Sequence, residues 1–262
     1  MVKKPRYRAP ALEKGLEILE LLAPRAGAMT LSEISAGLKR SKSEIFRMLQ
    51  VLEERRYLSR PAGAEGYVLT NRLFMLGMEH PPVKGLMEAA LPVMHRLAAQ
   101  ILQPCHLAIP SEEMIVVVAR VESPGDVGFV VRVGHRRPIP QSTSGLVLLA
   151  FQPEEARARW LQTLERKQVR YERERLAGRL RGIAARGYAC IPSEVVSGVT
   201  DLSAPILLQG AAIAALTVPF AERRGDRSDR SDRSDRGDRG EPGRSVVLLC
   251  EAAGVISREL EG

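Results

Sequence analysis

From Ala11 to Leu22 the chain reads ALEKGLEILELL. Leu12, Leu16, Leu19 and Leu22 recur at three- and four-residue spacing, with Ile18 beside them, which predicts a helix with one apolar side. Pro24 and Gly27 stop it. The stretch TLSE, Thr30 to Glu33, then places a hydroxyl residue three positions before a glutamate. This is a capping-box pattern, in which each side chain satisfies a backbone N–H at a helix start. The short helix it opens is expected to run to about Ala36 and end at Gly37. Ser41-Lys42-Ser43-Glu44 repeats the pattern and opens a third helix, with Ile45, Met48, Leu49 and Leu52 as its buried stripe. Tyr57 and Leu58 begin an extended piece, Gly63 to Gly66 turns the chain, and YVLT (Tyr67 to Thr70) returns as a strand. Helix, short helix, tight link, helix and two-stranded ribbon make a winged helix-turn-helix. The two capping boxes make this more than a generic helical pattern, because they place both helix starts closely.

Asn71 to Gly77 (NRLFMLG) closes this module, and His80-Pro81-Pro82 reads as a break and a linker. Leu86, Ala90, Val93, Met94, Leu97 and Ile101 then mark a long amphipathic helix. Pro92 should end it, kink it or lie in its first turn. CHLAIP, MIVVVARVE and DVGFVVRVG predict three strands between Cys105 and Gly134. Ser144 to Phe151 predicts a buried helix, and Pro153 to Leu164 another with proline at its first position. Tyr171 to Arg186 is a strongly charged helix ended by Gly187. YACIPSEVV, DLSAPILL and AIAALTVPF are further strands, and Val246 to Leu260 closes with a helix. Helices and strands mixed without regular βαβ spacing predict an α+β sensor domain. The domains expected are 1–78 for the winged helix-turn-helix, 79–104 for a linker-helix region and 84–262 for the sensor. Within the last, Gly225 to Gly243 is an Asp-Arg-Ser repeat whose charges nearly cancel and which has nothing to bury. It reads as a disordered, solvated surface insertion.

Charge shifts the picture a little. The formal net charge is +8; residues 1–80 carry 14 Lys/Arg and 9 Asp/Glu, and the remaining 182 carry 25 and 22. The denser excess in the N-terminal part suits a nucleic-acid-binding module. A slightly basic surface with no such partner has the same totals. No apolar run approaches the roughly 18–20 residues of a membrane span. The start, MVKKPRYRAP, lacks the apolar stretch of a secretion signal, so a cytoplasmic protein is expected. Cys105, Cys190 and Cys250 are an odd, widely spaced set, which argues for a reducing compartment rather than a disulfide framework.

Candidate chemistry falls in two places. Projected on a helix, Lys42, Ser43, Phe46, Arg47 and Gln50 lie away from the buried stripe. A helix fits the major groove with its N-terminal residues nearest the base edges. Arg47 has the bidentate geometry for guanine and Gln50 that for adenine, while Lys42 and Ser43, with Ser41 at the cap, suit phosphate. Arg40 and Arg60 flank the helix and the wing, and Thr30 and Ser32 add phosphate contacts from the helix before. The plain alternatives are a solvated polar face or a protein-binding winged helix. The second place is Gln141-Ser142-Thr143-Ser144-Gly145, ahead of the apolar LVLLAF. A helix start with small hydroxyl residues is a ready anion site. From these residues alone an ordinary Ser/Thr cap is the stronger reading.

Other chemistry finds little support. Cys105 and His106 are adjacent on a predicted strand and point to opposite faces, so they are no nucleophile-base pair. The spacings of Cys105, His106, His135 and Cys190 match no common zinc signature, and no cofactor motif is present. A hydrolase or amidase using Ser142 and Ser144 is the rival reading.

With these pieces in place, the chain resembles the isocitrate lyase regulator (IclR) family of bacterial transcription factors. The stretch "ALEKGLEILELL…TLSEISAGLKRSKSEIFRMLQVLEERRYL" looks like that family's winged helix-turn-helix, including Lys42, Ser43 and Arg47 at the start of the recognition helix. "YVLTNRLFMLG", "VRVGHRRPIPQSTSGLVLLA" and "SEVVSGVTDLSAPI…AALTVPF" are similar to its later signature regions. The resemblance implies a C-terminal α/β effector-binding domain of GAF/profilin-like type, with double-stranded DNA and a small carboxylic acid as partners. No cofactor is expected, and two or four identical subunits are expected because one small winged helix makes a limited interface and dimers read paired half-sites. The resemblance implies that Thr143 and Ser144 hold the ligand beside Ser142 and Gly145. Asp201 and Thr217 would face them, with Leu146 and Pro219 as apolar wall. The family often has Gly-Lys at Gly145-Leu146 and Cys at Asp201. A carboxylate at 201 repels an acid unless it is protonated, paired or turned away; a ligand with hydroxyl or amino groups relieves this.

Overall fold

The computed structural model describes residues 9–123, 131–221 and 242–262. The chain divides into two compact units, Met1–Lys84 and Gly85–Gly262.

The first unit contains α1 (Pro10–Leu22), α2 (Leu31–Leu38), α3 (Lys42–Glu54), β1 (Leu58–Ser59), β2 (Val68–Leu69) and α4 (Arg72–Glu79). Both capping boxes form. The Thr30 hydroxyl accepts the Glu33 N–H at 3.3 Å, and the Glu33 carboxylate accepts the Thr30 N–H at 2.7 Å. Ser41 and Glu44 do the same at 3.4 and 3.2 Å. Glu44 also takes Lys14 at 2.7 Å. These bonds hold its carboxyl down at about 2, with the Lys14 hydrogen bond the largest cause. Ile18, Leu22, Ile34, Ile45, Leu49, Leu58 and Tyr67 form the core, with Met48 and Leu52 packed at its edge. β1 and β2 are antiparallel, with Leu58 opposite Leu69.

Two expectations change here. Gly37 does not end α2; the helix passes through it to Leu38, and Lys39 takes the left-handed cap at φ 53°. The glycine answers to packing instead, since a Cβ there would meet the Leu21 side chain at 3.1 Å. The stripe of α1 also extends past the core, for Leu12 and Leu16 are exposed. Further on, His80 is the whole break: α5 (Pro81–Ile101) starts at the next residue. Pro81 and Pro82 are tolerated in a first turn, where the missing N–H would have no helical acceptor. α5 is a single helix with Pro92 inside it.

In the second unit β3 (Cys105–Ser111), β4 (Met114–Val121), β5 (Arg136–Pro138), β6 (Ala189–Pro192), β7 (Val199–Leu208) and β8 (Ala211–Ala221) form one antiparallel sheet in the order β5-β4-β3-β8-β7-β6. α5 and α9 (Pro242–Glu261) share one core with one sheet face. α6 (Thr143–Ala150), α7 (Glu154–Arg166) and α8 (Arg173–Arg186) share a second core with the other face. A bulge explains how β4 serves both. Leu107 pairs with Ala119 but Ala108 with Val117, leaving Val118 extra. The alternation therefore inverts, so Ile115 and Val117 face the second core while Ala119 and Val121 face the first.

The strand expected over DVGFVVRVG is corrected where it is described. Residues 131–134 are loop and turn, and the short β5 follows at Arg136. The rest of that stretch, and most of the Asp-Arg-Ser insertion, lie outside the described residues. Pro153 is the N-cap of α7 rather than its first helical residue.

Candidate functional site

The first candidate surface is the N-terminal half of α3. Ile45 and Leu49 are fully buried, which anchors one side of the helix. Lys42, Ser43, Arg47 and Gln50 are exposed on the other. Among the described residues, the side chains of Lys42, Arg47 and Gln50 make no hydrogen bond or ion pair. Four other expected contacts are already engaged within the fold. Arg40 is bidentate to the Glu17 carboxylate of α1 at 2.9 and 3.0 Å. Arg60 stacks on the Tyr67 ring, 4.6 Å from its centroid, donates to the Tyr67 hydroxyl and pairs with Glu53 at 3.2 Å. Ser41 and Thr30 spend a lone pair as caps, while Ser32 is exposed. Phe46 is 40% exposed, on the open side of the helix.

The second candidate is a cavity of about 480 Å³ in the second unit. Strand periodicity builds it. Leu202, Ala204, Leu216 and Val218 face the α5/α9 core. Their neighbours Asp201, Ser203, Thr217 and Pro219 therefore face α6, as does His106 on β3. His106 pairs across the sheet with Thr217, and Thr217 with Ser203, giving a polar row in a mostly apolar sheet face. The start of α6 completes the site. Thr143 donates to the Asp201 carboxylate at 3.3 Å, and the buried Ser144 hydroxyl bonds Thr217 at 2.9 Å. Thr217 also bonds Ser203 at 2.8 Å. Ser142 caps the helix by accepting the Gly145 N–H at 3.1 Å.

Ser142, Thr143, Ser144, Asp201, Thr217 and Pro219 line this cavity. Gly145 and Leu146 do not. Gly145 packs against the Ile139 carbonyl, and Leu146 is buried in the α6–α8 core. The sequence reading missed His106, Arg137, Arg179 and Glu194, all of which line the cavity. A polar residue inside an apolar strand was the signal for His106; the two arginines and Glu194 carried none.

Charge here is set by burial. Asp201 sits above the usual carboxylate range because burial outweighs the hydrogen bonds from Thr143 and Ser193 and the nearby Arg137 charge. Burial, with the neighbouring His135, lowers His106 to about 4, so its ring is neutral at pH 7. Its Nδ1 is buried without a partner. An unfolded His106 protonates near 6.5 and the folded one only near 4, so its contribution to stability is full above pH 6.5 and is lost as pH falls toward 4. A melting-temperature series over pH 4–7 is expected to show that fall, flattened in His106→Gln. Thr217→Val is expected to cost about 1–3 kcal/mol, because it strands two buried serine hydroxyls without changing shape; urea unfolding measures it.

The IclR helix-turn-helix domain matches residues 11–62, and the bacterial transcriptional regulator IclR C-terminal domain matches residues 83–234. The chain belongs to the IclR family. It is 28% identical over 195 residues to the HTH-type transcriptional regulator KdgR of Dickeya chrysanthemi, covering 72% of this chain and 64% of that one. The chain thus spans slightly less than two thirds of that relative. It is 25% identical over 224 residues to the probable transcriptional regulator SauR of Cupriavidus necator, covering 83% and 89%. An IclR homologue from Microbacterium hydrocarbonoxydans, solved in complex with 4-hydroxybenzoate, shares the fold at a TM-score of 0.74 and 24% identity, over 95% of this chain and 98% of that one. The helix-turn-helix match precedes the C-terminal-domain match along the chain. Among the described residues no helix is long and apolar enough to cross a membrane.

Proposed function

We propose that this IclR-family chain is a cytoplasmic transcriptional regulator whose hold on double-stranded DNA is controlled by a small carboxylic acid in the second unit. The observation that carries the DNA half is α3. Its apolar side is locked in the core while Lys42, Arg47 and Gln50 stand exposed and unpaired among the described residues. The helix start adds positive potential toward a phosphate backbone. Arg47 and Gln50 are the base readers; Lys42, Ser43, Thr30, Ser32 and Ser41 suit phosphate. Arg40 and Arg60 act mainly by bracing α1 and the wing.

The effector half rests on the cavity, whose size suits a small organic molecule. The relative bound to 4-hydroxybenzoate supports a hydroxylated acid as the ligand class. Its hydroxyl can face the Asp201–Thr143 end and its apolar body can lie on Val131 and Ile191. We propose two or four identical subunits, since paired half-sites need paired readers. Leu12 and Leu16 on α1, and Leu73 and Phe74 on α4, offer apolar surface for such pairing.

The enzyme reading is disfavoured by the serines. Ser144 is spent on Thr217 and Ser142 on the helix cap, and among the described residues neither is hydrogen-bonded to a histidine base. The test is a gel shift on DNA upstream of the chain's own gene at several salt concentrations. A specific complex that weakens with salt supports the proposal; equal weak binding to every sequence removes it. Ester or amide turnover lost on mutating Ser142 and Ser144 would revive the hydrolase.

A further inference from the structure

Three charged side chains from separate elements meet on this cavity. Arg137 comes from β5, Arg179 from α8, and Glu194 from the connection between β6 and β7. The Glu194 carboxylate lies 3.1 Å from Arg137 and 3.7 Å from Arg179. Two guanidinium groups thus share one carboxylate. Several other polar groups of the site are matched among themselves: Thr143 with Asp201, Ser144 and Ser203 with Thr217, and Ser142 with the Gly145 N–H; His106 Nδ1 has no partner, and Arg132 makes no ion pair among the described residues.

We propose that Arg137 and Arg179 are the carboxylate subsite of the cavity, and that Glu194 occupies it until an acidic ligand displaces it. This rests on the effector-cavity reading above and names the subsite within it.

The occupant is held less firmly than its hosts. The Glu194 side chain is 51% exposed, against 24% for Arg137 and 26% for Arg179. An ion pair with one solvated end is weak, because water screens the attraction and holding the side chain costs entropy. A free acid brings the same charge and adds an apolar body. That body can cover Val131 and Ile191, which are half-buried and border the same cavity, and Glu194 has no such group to bury. An untethered carboxylate can also take the two-pronged geometry on one guanidinium, which Glu194, with single contacts at 3.1 and 3.7 Å to two of them, does not make. Displacement has a structural consequence as well. Ser193 bonds the Val199 carbonyl at 2.8 Å, so the segment 193–199 is pinned at its base. Val195, next to Glu194, is largely exposed, so little packing opposes release of the segment's tip. The ligand's charge is thereby linked to the conformation of this connection.

The experiment is a thermal-shift titration of the full chain with benzoate and with its neutral counterpart benzamide. It compares wild type, Glu194→Gln, Glu194→Ala, Arg137→Ala/Glu194→Gln, and Glu155→Gln as a control of equal charge on α7. Freeing the arginines is expected to tighten benzoate about tenfold in both single Glu194 variants, read from the concentration dependence of the shift. Benzamide and the Glu155→Gln control should not gain, and the double variant should lose the gain. Benzoate affinity that is equal or weaker without Glu194, no binding to either protein included, overturns the proposal. An equal gain for benzamide overturns it too. A gel shift on the same wild-type protein keeps the regulator reading separate: a specific DNA complex leaves that reading standing even if the benzoate result fails.

Discussion

Arg47→Ala is expected to cost on the order of 1–3 kcal/mol in binding to a specific operator and nothing measurable in thermal stability. The two halves of this expectation come from the two sides of α3. Ile45 and Leu49 are fully buried and hold the helix to α1 and α2. Arg47 is exposed and contributes to no ion pair among the described residues, so its removal leaves the core intact. A bidentate arginine–guanine contact carries base identity, and its loss should relax the sequence preference at one position. Lys42→Ala is the informative contrast. A phosphate contact has no base preference, so that variant should weaken all sequences alike and lower the salt slope by about one. Titration of labelled operator and scrambled DNA at several salt concentrations separates the two. An Arg47→Ala protein that still prefers its operator as strongly as wild type would show that α3 is not the reading element.

The first unit was legible because its signals are local. Thr30-x-x-Glu33 and Ser41-x-x-Glu44 each need only four residues to form a box, and both boxes close in the structure. Ile45 and Leu49 follow from helical period alone. Gly37 misled because glycine ends helices for one reason and admits close neighbours for another. Here Leu21 packs over it, and Lys39 supplies the left-handed turn. The cavity was half legible. Thr143, Ser144 and Asp201 lie in stretches whose polarity stands out against apolar runs. Arg137, Arg179 and Glu194 are surface-type residues on three separate elements, and only the packing of α8 on α6 and the pairing of β5 with β4 bring them to one place. No spacing in the chain encodes that convergence. Leu146 shows the reverse error: a residue next to the site in sequence turns a full helical step away and is buried in the core.

A large loss of stability from one added methyl group is expected at Gly145. An alanine Cβ there would lie 2.1 Å from the Ile139 carbonyl oxygen and 2.7 Å from its carbon. Real carbon atoms do not approach backbone this closely, and neither partner is a flexible side chain. The turn at Ile139–Gln141 is fixed as well, since the Ile139 N–H donates to the Glu113 carbonyl at 3.0 Å. α6 must therefore move away from that turn. It is buried from Ser144 to Ala150, so the shift propagates into the core beneath the sheet. Overpacking of this kind costs about 1–3 kcal/mol where side chains can yield. With backbone on both sides, about 4 kcal/mol or more is expected. The same displacement carries Thr143 and Ser144 away from Asp201 and Thr217, so ligand binding should fail with the fold only partly lost. Gly178→Ala on α8 is the control: nothing lies within 4 Å of its Cβ position, and alanine there should stabilise by up to about 1 kcal/mol through helix propensity. Urea unfolding of the two variants beside wild type reads the contrast directly, and equal midpoints for all three would mean that α6 is not seated on the Ile139 turn.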